Sequence, residues 1–267
     1  MSDEIFSIKT VESDKKKISF YEELLLRRDQ LLKKAESYLI DFTREFGDMI
    51  NENFKLTVEC IKIKKTISYC RRRLNRGLPI DTNLMQSEID AEMALYYDQL
   101  NEMISDTEAA RKAHTISAYR LQQAKKIYRR LIKMLHPDIN RMTGENELLS
   151  ELWEKVVDAY HRTDVDDLED LEVLVKKALE DLGDEGFEIQ LADIDARIER
   201  IEDKINEIIT SKPYIYGELL ADDEKIKSYR DELQAEHDDT AQYLDTLKSA
   251  LDEMLCEGGA RIIWKTN

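Results

Sequence analysis

Apolar and small residues recur along much of the chain in alternating steps of three and four. From Leu32 the series runs through Ala35, Leu39, Phe42, Phe46, Met49, Asn53, Leu56, Cys60, Ile63, Ile67, Cys70 and Leu74. That is the a/d seam of a coiled coil, and it predicts one long helix. The segment 75–81 stops it, with Gly77 suited to the position after the helix end and Pro79 blocking continuation. Arg71, Arg72, Arg73 and Arg76 crowd the last turn, where the helix dipole favours cations. A second seam runs through Ile89, Met93, Tyr96, Leu100, Met103, Thr107, Ala110, His114, Ser117, Leu121, Ala124, Tyr128, Leu131 and Leu135, behind an N-cap at Asp81 or Thr82. Two such helices with a short loop between them predict an antiparallel hairpin about 80 Å long at 1.5 Å per residue.

The pattern then changes. His136-Pro137-Asp138 ends the second helix, because proline disfavours helical geometry in the residue before it. A helix over 145–162 follows, with Leu148, Leu149, Leu152, Trp153, Val156 and Tyr160 on one face, and then an acidic helix over 166–182 that ends at Gly183 and Gly186. In the last third, Leu191, Ile194, Ile198, Ile201, Ile205 and Ile208 make another heptad seam. A break at Pro213 leads to Ile226, Tyr229, Leu233, His237, Thr240, Leu244, Leu247, Leu251 and Met254. The expected organisation is a polar, flexible tail (1–17), a long antiparallel helical hairpin (18–117), a short-helix segment (118–188) and a C-terminal antiparallel coiled-coil hairpin (189–267) in which 191–209 pairs with 224–255.

Composition narrows the class. The 267 residues include only eight glycines and three prolines, and aromatics are 7%. Turn-rich sheets are excluded on that ground, and the expected fold is all-α. A net charge of −17 argues against nucleic acid or an anionic membrane as the main partner. No apolar run approaches the ~20 residues that span a bilayer. The first seventeen residues have no apolar core and no small-residue cleavage site, so no leader peptide is expected. Cys60, Cys70 and Cys256 form no CxxC pair and no metal-ligand spacing, which suits a reduced, cytoplasmic protein without metal or cofactor. Cys60 and Cys70 lie about 15 Å apart along one helix, too far for a disulfide. Asn53, His114 and His237 sit on seams, where a polar group sets register.

One constellation stands out against this background. The stretch from Lys125 through Lys126, Tyr128, Arg129, Arg130 and Lys133 to His136-Pro137-Asp138 is a basic amphipathic helix closed by an HPD tripeptide. Trp153 to Tyr160 follows fifteen residues later with an Ala-Tyr ending. From Arg111 to Lys133 there are eight basic residues and no acidic one. Such a patch either docks an acidic partner or pairs with acidic residues of a neighbouring helix, such as Glu22, Glu23 and Asp29.

The stretch over 118–162 resembles helix II, the signature loop and helix III of the J-domain (DnaJ-like) family. The resemblance implies a J-domain-like helical pair joining the two hairpins, and a co-chaperone that docks a DnaK-type chaperone and stimulates its ATPase. On that reading Lys125, Tyr128, Arg129, Arg130 and Lys133 contact the acidic chaperone surface. His136, Pro137 and Asp138 form the signature loop, with Asp138 engaging an arginine of the partner. His136 alternatively serves only the dipole at the helix end. The chain departs from the family at Met134, Leu135 and Ile139, where a basic residue, an aromatic and a lysine are usual. It also lacks a recognisable helix I, a final basic helix, a Gly/Phe-rich linker and the zinc module. No arrangement of nucleophile, base and oxyanion donors suggests an enzyme. The alternative to a co-chaperone is a coiled-coil scaffold in which the J-like pair only braces two arms, which bind a client or scaffold protein.

Hairpin arithmetic supplies a candidate for the missing helix. His136 and Glu22 both lie 57 residues from Pro79, so an antiparallel hairpin sets them side by side. Phe20, Leu24, Leu25 and Leu31 are therefore expected to cover Tyr128, Leu131 and Leu135, with Trp153 and Tyr160 closing the far side.

Overall fold

The computed structural model describes the backbone of residues 2–113, 117–183 and 193–257, and side chains within these segments from residue 16 onward. The protein is all-α: the described residues form nine helices and no strand. These are α1 (Ser2–Leu74), α2 (Thr82–Lys112), α3 (Ala118–Leu135), α4 (Met142–Glu145), α5 (Glu147–Arg162), α6 (Val165–Leu182), α7 (Ile194–Ile209), α8 (Lys212–Leu220) and α9 (Asp223–Glu257). The chain divides into two compact units, and neither is continuous in sequence. The first comprises Met1–Ser37 with His114–Ile215, the second Tyr38–Ala113 with Tyr216–Asn267.

Three expectations need correction. The segment 2–17 is the first part of α1 rather than a flexible tail. It contains no glycine or proline to interrupt a helix. The predicted second helix of the long hairpin is two helices. α2 ends at the extended Ala113, and α3 begins behind Ser117, whose hydroxyl accepts the backbone N–H of Arg120 at 3.3 Å. A serine that offers the backbone a cap outweighs the unbroken seam. The C-terminal pairing is also different. Ile194, Ile201 and Ile205 of α7 are buried in the core of the first unit. Leu233, Leu244, Leu251 and Leu255 of α9 are buried in cores of the second. A heptad seam requires an apolar partner but does not name one.

In the second unit, Val58, Cys60, Ile63 and Cys70 of α1 pack with Met85, Ile89 and Met93 of α2 and with Leu244, Leu251 and Leu255 of α9. Between α1 and α2 the loop opens with Gly77 at φ +65°. The Leu78 N–H bonds the Arg73 carbonyl and the Gly77 N–H bonds that of Leu74, a Schellman ending that a left-handed residue makes possible. Arg44 caps the other end of α2, donating to the carbonyls of Ala110 and Ala113. Asn53 does set register, but against α9: its Nδ2 donates to the Leu233 carbonyl at 2.9 Å. His237 is half-buried, and His114 lies outside the described residues. Burial pushes the thiols of Cys60 and Cys70 up from their ordinary range.

The first unit holds the His-Pro-Asp turn. α3, α5 and α6 pack on one another, and residues 21–26 of α1 and one face of α7 complete the core. Leu25 and Leu131 are fully buried, and Tyr21, Leu24 and Leu26 nearly so. The apolar segment 21–26 of α1 thus covers α3 where the hairpin arithmetic placed it, although Phe20 faces solvent. Replacing Leu25 by alanine should cost roughly 2–5 kcal/mol of the first unit's stability, since the site is closed on all sides. Hydrogen exchange is expected to quicken at residues 128–140 and to stay unchanged at residues 58–70; equal protection in wild type and variant would disprove the packing role.

Candidate functional site

α3 is built with two faces. Ala124, Ile127, Tyr128, Leu131, Ile132 and Leu135 point into the core, while Lys125, Lys126, Arg129, Arg130 and Lys133 lie outside. Tyr128 therefore does not stand beside the cations as the J-like reading required. It is 1% exposed, its ring stacks on Tyr160 at 3.9 Å, and its hydroxyl donates to the buried Asp29 carboxylate at 2.8 Å. Its i+3 and i+7 neighbours, Leu131 and Leu135, lie on the same stripe, so a helical tyrosine at this position has no route to the surface. Burial, followed by the Asp29 charge, pushes its hydroxyl far above the usual range.

The cations divide by what they meet. Arg130 makes a bidentate pair with Glu172 of α6 at 2.7 and 2.6 Å, and Lys176 adds a second contact at 3.0 Å. The Arg130 hydrogen bonds, with help from Lys176, hold the Glu172 carboxyl down at about 2. Arg130 is thus committed to the α3–α6 contact. Arg129 meets Glu23 at 2.9 Å and Lys133 meets Glu22 at 2.7 Å, so two of the acidic neighbours suggested by the sequence do serve α3. Arg129 and Glu23 are both at least half exposed, and such a pair contributes about 0–1 kcal/mol. Exchanging it for an outside carboxylate is inexpensive. Lys125 and Lys126 are exposed and form no ion pair among the described residues.

The His-Pro-Asp turn closes this helix. His136 is the C-cap residue and is 5% exposed, with its ring edge-on to Trp153 at 4.9 Å. Its Nδ1 accepts the backbone N–H of Asp138 at 3.0 Å, while its carbonyl accepts from Ile139 and Asn140, both at 2.8 Å. Burial pushes the imidazole down to about 4, so at neutral pH it acts as a hydrogen-bond acceptor and not as a cation on the dipole. Asn140, fully buried, locks the turn: its Nδ2 donates to the Met134 carbonyl and its Oδ1 accepts the Met142 N–H. Pro137 is half-buried.

Asp138 stands at the rim of this turn with its side chain 43% exposed. One carboxylate oxygen accepts from the Tyr21 hydroxyl at 2.8 Å and the other from Arg197 Nη1 at 3.0 Å. Tyr21, Asn140 and Arg197 were not singled out from the sequence. Tyr21 lies in the segment placed beside α3 by arithmetic, and Arg197 flanks the isoleucine seam three residues after Ile194. Neither signal names a partner across more than fifty residues of chain.

The turn and helix bring Lys125, Arg129, Lys133 and Asp138 onto one structural element, while Tyr128, Arg130 and His136 are structural. The described residues hold no group of three or more His, Cys, Asp or Glu side chains placed to bind a metal ion. None of the described helices is long and apolar enough to cross a membrane. Comparison with protein-family models, curated proteins and solved structures finds no match to this chain.

Acid should weaken the first unit in two steps. His136 is neutral when folded, so below about 6.5 the unfolded chain takes up a proton that the folded chain refuses, and stability falls as pH drops toward about 4. Glu172 is ionised when folded, so its contribution is present above about 4.5 and is lost as pH falls toward about 2. Urea midpoints followed through Trp153 fluorescence are expected to decline from pH 6.5 downward. His136→Gln should flatten the upper part of that decline and Glu172→Gln the lower; an upper limb unchanged in His136→Gln would exclude the buried imidazole as its source.

Proposed function

We propose that the first unit is a J-domain-like docking module for a DnaK-type chaperone, a binding function that acts on the partner's ATPase and performs no chemistry itself. The observation that carries this reading is the half-exposed Asp138 carboxylate, fixed on a turn at the end of a basic helix. His136 and Asn140 hold that turn from inside, so the carboxylate direction is set before any partner arrives, which favours a geometrically specific Arg–carboxylate contact. Lys125, Lys126 and Arg129 add a positive surface for an acidic partner, with Lys133 at its edge. A cytoplasmic location is part of the same proposal.

A second reading, the coiled-coil scaffold, draws on the internal pairing of Arg130 with Glu172 and of Asp138 with Arg197. There the turn would brace helices, and the second unit would bind a client or scaffold protein.

Single-turnover ATP hydrolysis by a purified DnaK-type chaperone separates the two. Wild-type protein is expected to accelerate hydrolysis severalfold, Asp138→Asn to lose that acceleration, and Lys125→Glu with Lys126→Glu to weaken it at least threefold. Rates equal to chaperone alone at saturating wild-type protein would favour the scaffold.

A further inference from the structure

The carboxylate that the docking reading relies on is already engaged from inside the chain. Asp138 spends one oxygen on Tyr21 and the other on the guanidinium of Arg197. A carboxylate accepts one guanidinium squarely, so an arginine supplied by a partner must compete with Arg197 for the same oxygen. The internal arginine is held imperfectly. Its side chain is 16% exposed, and its Nε is buried without a hydrogen-bond acceptor among the described residues. That orphaned donor carries a cost which leaving the site would relieve.

α7 lacks the N-terminal side-chain cap that fastens the three helices it packs beside. α3, α5 and α6 each begin with a side-chain cap, from Ser117, Asn146 and Asp164. α7 begins at Asp193, which sits in the left-handed region at φ 59° and makes no capping bond. An aspartate tolerates that conformation at some cost, which a covering contact elsewhere must offset. α7 attaches through the isoleucine face, through Arg197, and through an exposed pair between Lys17 and Asp195. α3, α5 and α6 also pack directly on one another.

We propose that α7 is an autoinhibitory strap: Arg197 occupies Asp138 in place of a partner's arginine, and docking requires α7 to move off the turn. This inference rests on the docking reading and specifies its regulation. Affinity for the chaperone is then reduced by the fraction of molecules with α7 lifted, and removing the Arg197 contact raises that fraction. Arg197→Met keeps the length of the stem and the isoleucine face while deleting the guanidinium.

The experiment measures the Kd of an ATP-bound DnaK-type chaperone for wild type, Arg197→Met, Asp138→Asn and the double variant, with hydrogen exchange over 194–209 read in parallel. Exchange at 124–135 and 149–160 serves as the control for an intact fold. The strap predicts binding about tenfold tighter or more for Arg197→Met, loss of that gain in the double variant, and faster exchange over 194–209 in the wild-type complex than in the free protein. Equal affinities for wild type and Arg197→Met, both lost with Asp138→Asn, would overturn the strap and leave docking standing. Unchanged protection over 194–209 on complex formation would also overturn it. No binding by any folded variant would remove the docking reading and the strap with it.

Discussion

A tyrosine hydroxyl given to a buried carboxylate fixes how residues 21–33 of α1 pack within the first unit. Asp29 is 6% exposed, and a charge at that depth is tolerable only with partners, here Tyr128 and the adjacent Arg28. Sliding α1 by one turn would carry the carboxylate and Arg28 together away from the Tyr128 hydroxyl, leaving the buried charge with one partner fewer. The contact therefore sets the register of a whole stripe at i, i+4 spacing: Tyr21, Leu25, Asp29 and Lys33. Leu25 fills the core, Tyr21 reaches the turn, and the Lys33 ammonium donates to the Tyr160 carbonyl at 2.6 Å while lying 4.7 Å from the centre of its ring. Burial draws that amine down to about 8. One face of one helix thus touches the core, the helix ends around it and the exposed carboxylate.

Charge on α3 follows from the same placement. Its cations stand between the acidic edge of α1, with Glu22 and Glu23, and that of α6, with Asp166 and Glu172. The bridges to the buried Glu172 and the nearly buried Glu22 fasten helices together, whereas the outer ones are solvent-exchangeable. A patch that reads as uniform in sequence is divided by depth into fastening and presenting residues.

The periodicity of three and four made the helices legible, and with them the all-α class. It also made the packing of residues 24 and 25 on α3 legible, because distance from a turn is arithmetic. What it could not supply was the choice of partner for each seam. Ile194, Ile201 and Ile205 are as regular as any coiled-coil stripe, yet they finish a globular core. Tyr128 stood both on a seam and in a basic run, and the burial of Leu131 and Leu135 beside it decided in favour of the seam. Arg197 was invisible because its meaning depends on a carboxylate fifty-nine residues earlier, brought close only by packing. Ser117 outweighed a continuous heptad because capping is a local bond, while a seam is a preference summed over many turns.

The interleaving of the two units bears on how the chain comes to be made. Leu24, Leu25 and Leu26 leave the ribosome long before α3, and the first unit's core is complete only when Ile205 has emerged. At 5–20 residues per second, that interval of some 180 residues is on the order of 10–40 s. Through it the nascent chain carries an apolar stripe whose covering residues do not yet exist. The second unit waits longer still, for Leu251 and Leu255 at the far end of α9. Such a chain is a natural candidate for escort during its own synthesis, and its contacts of long sequence separation set a slow pace for refolding after dilution from denaturant.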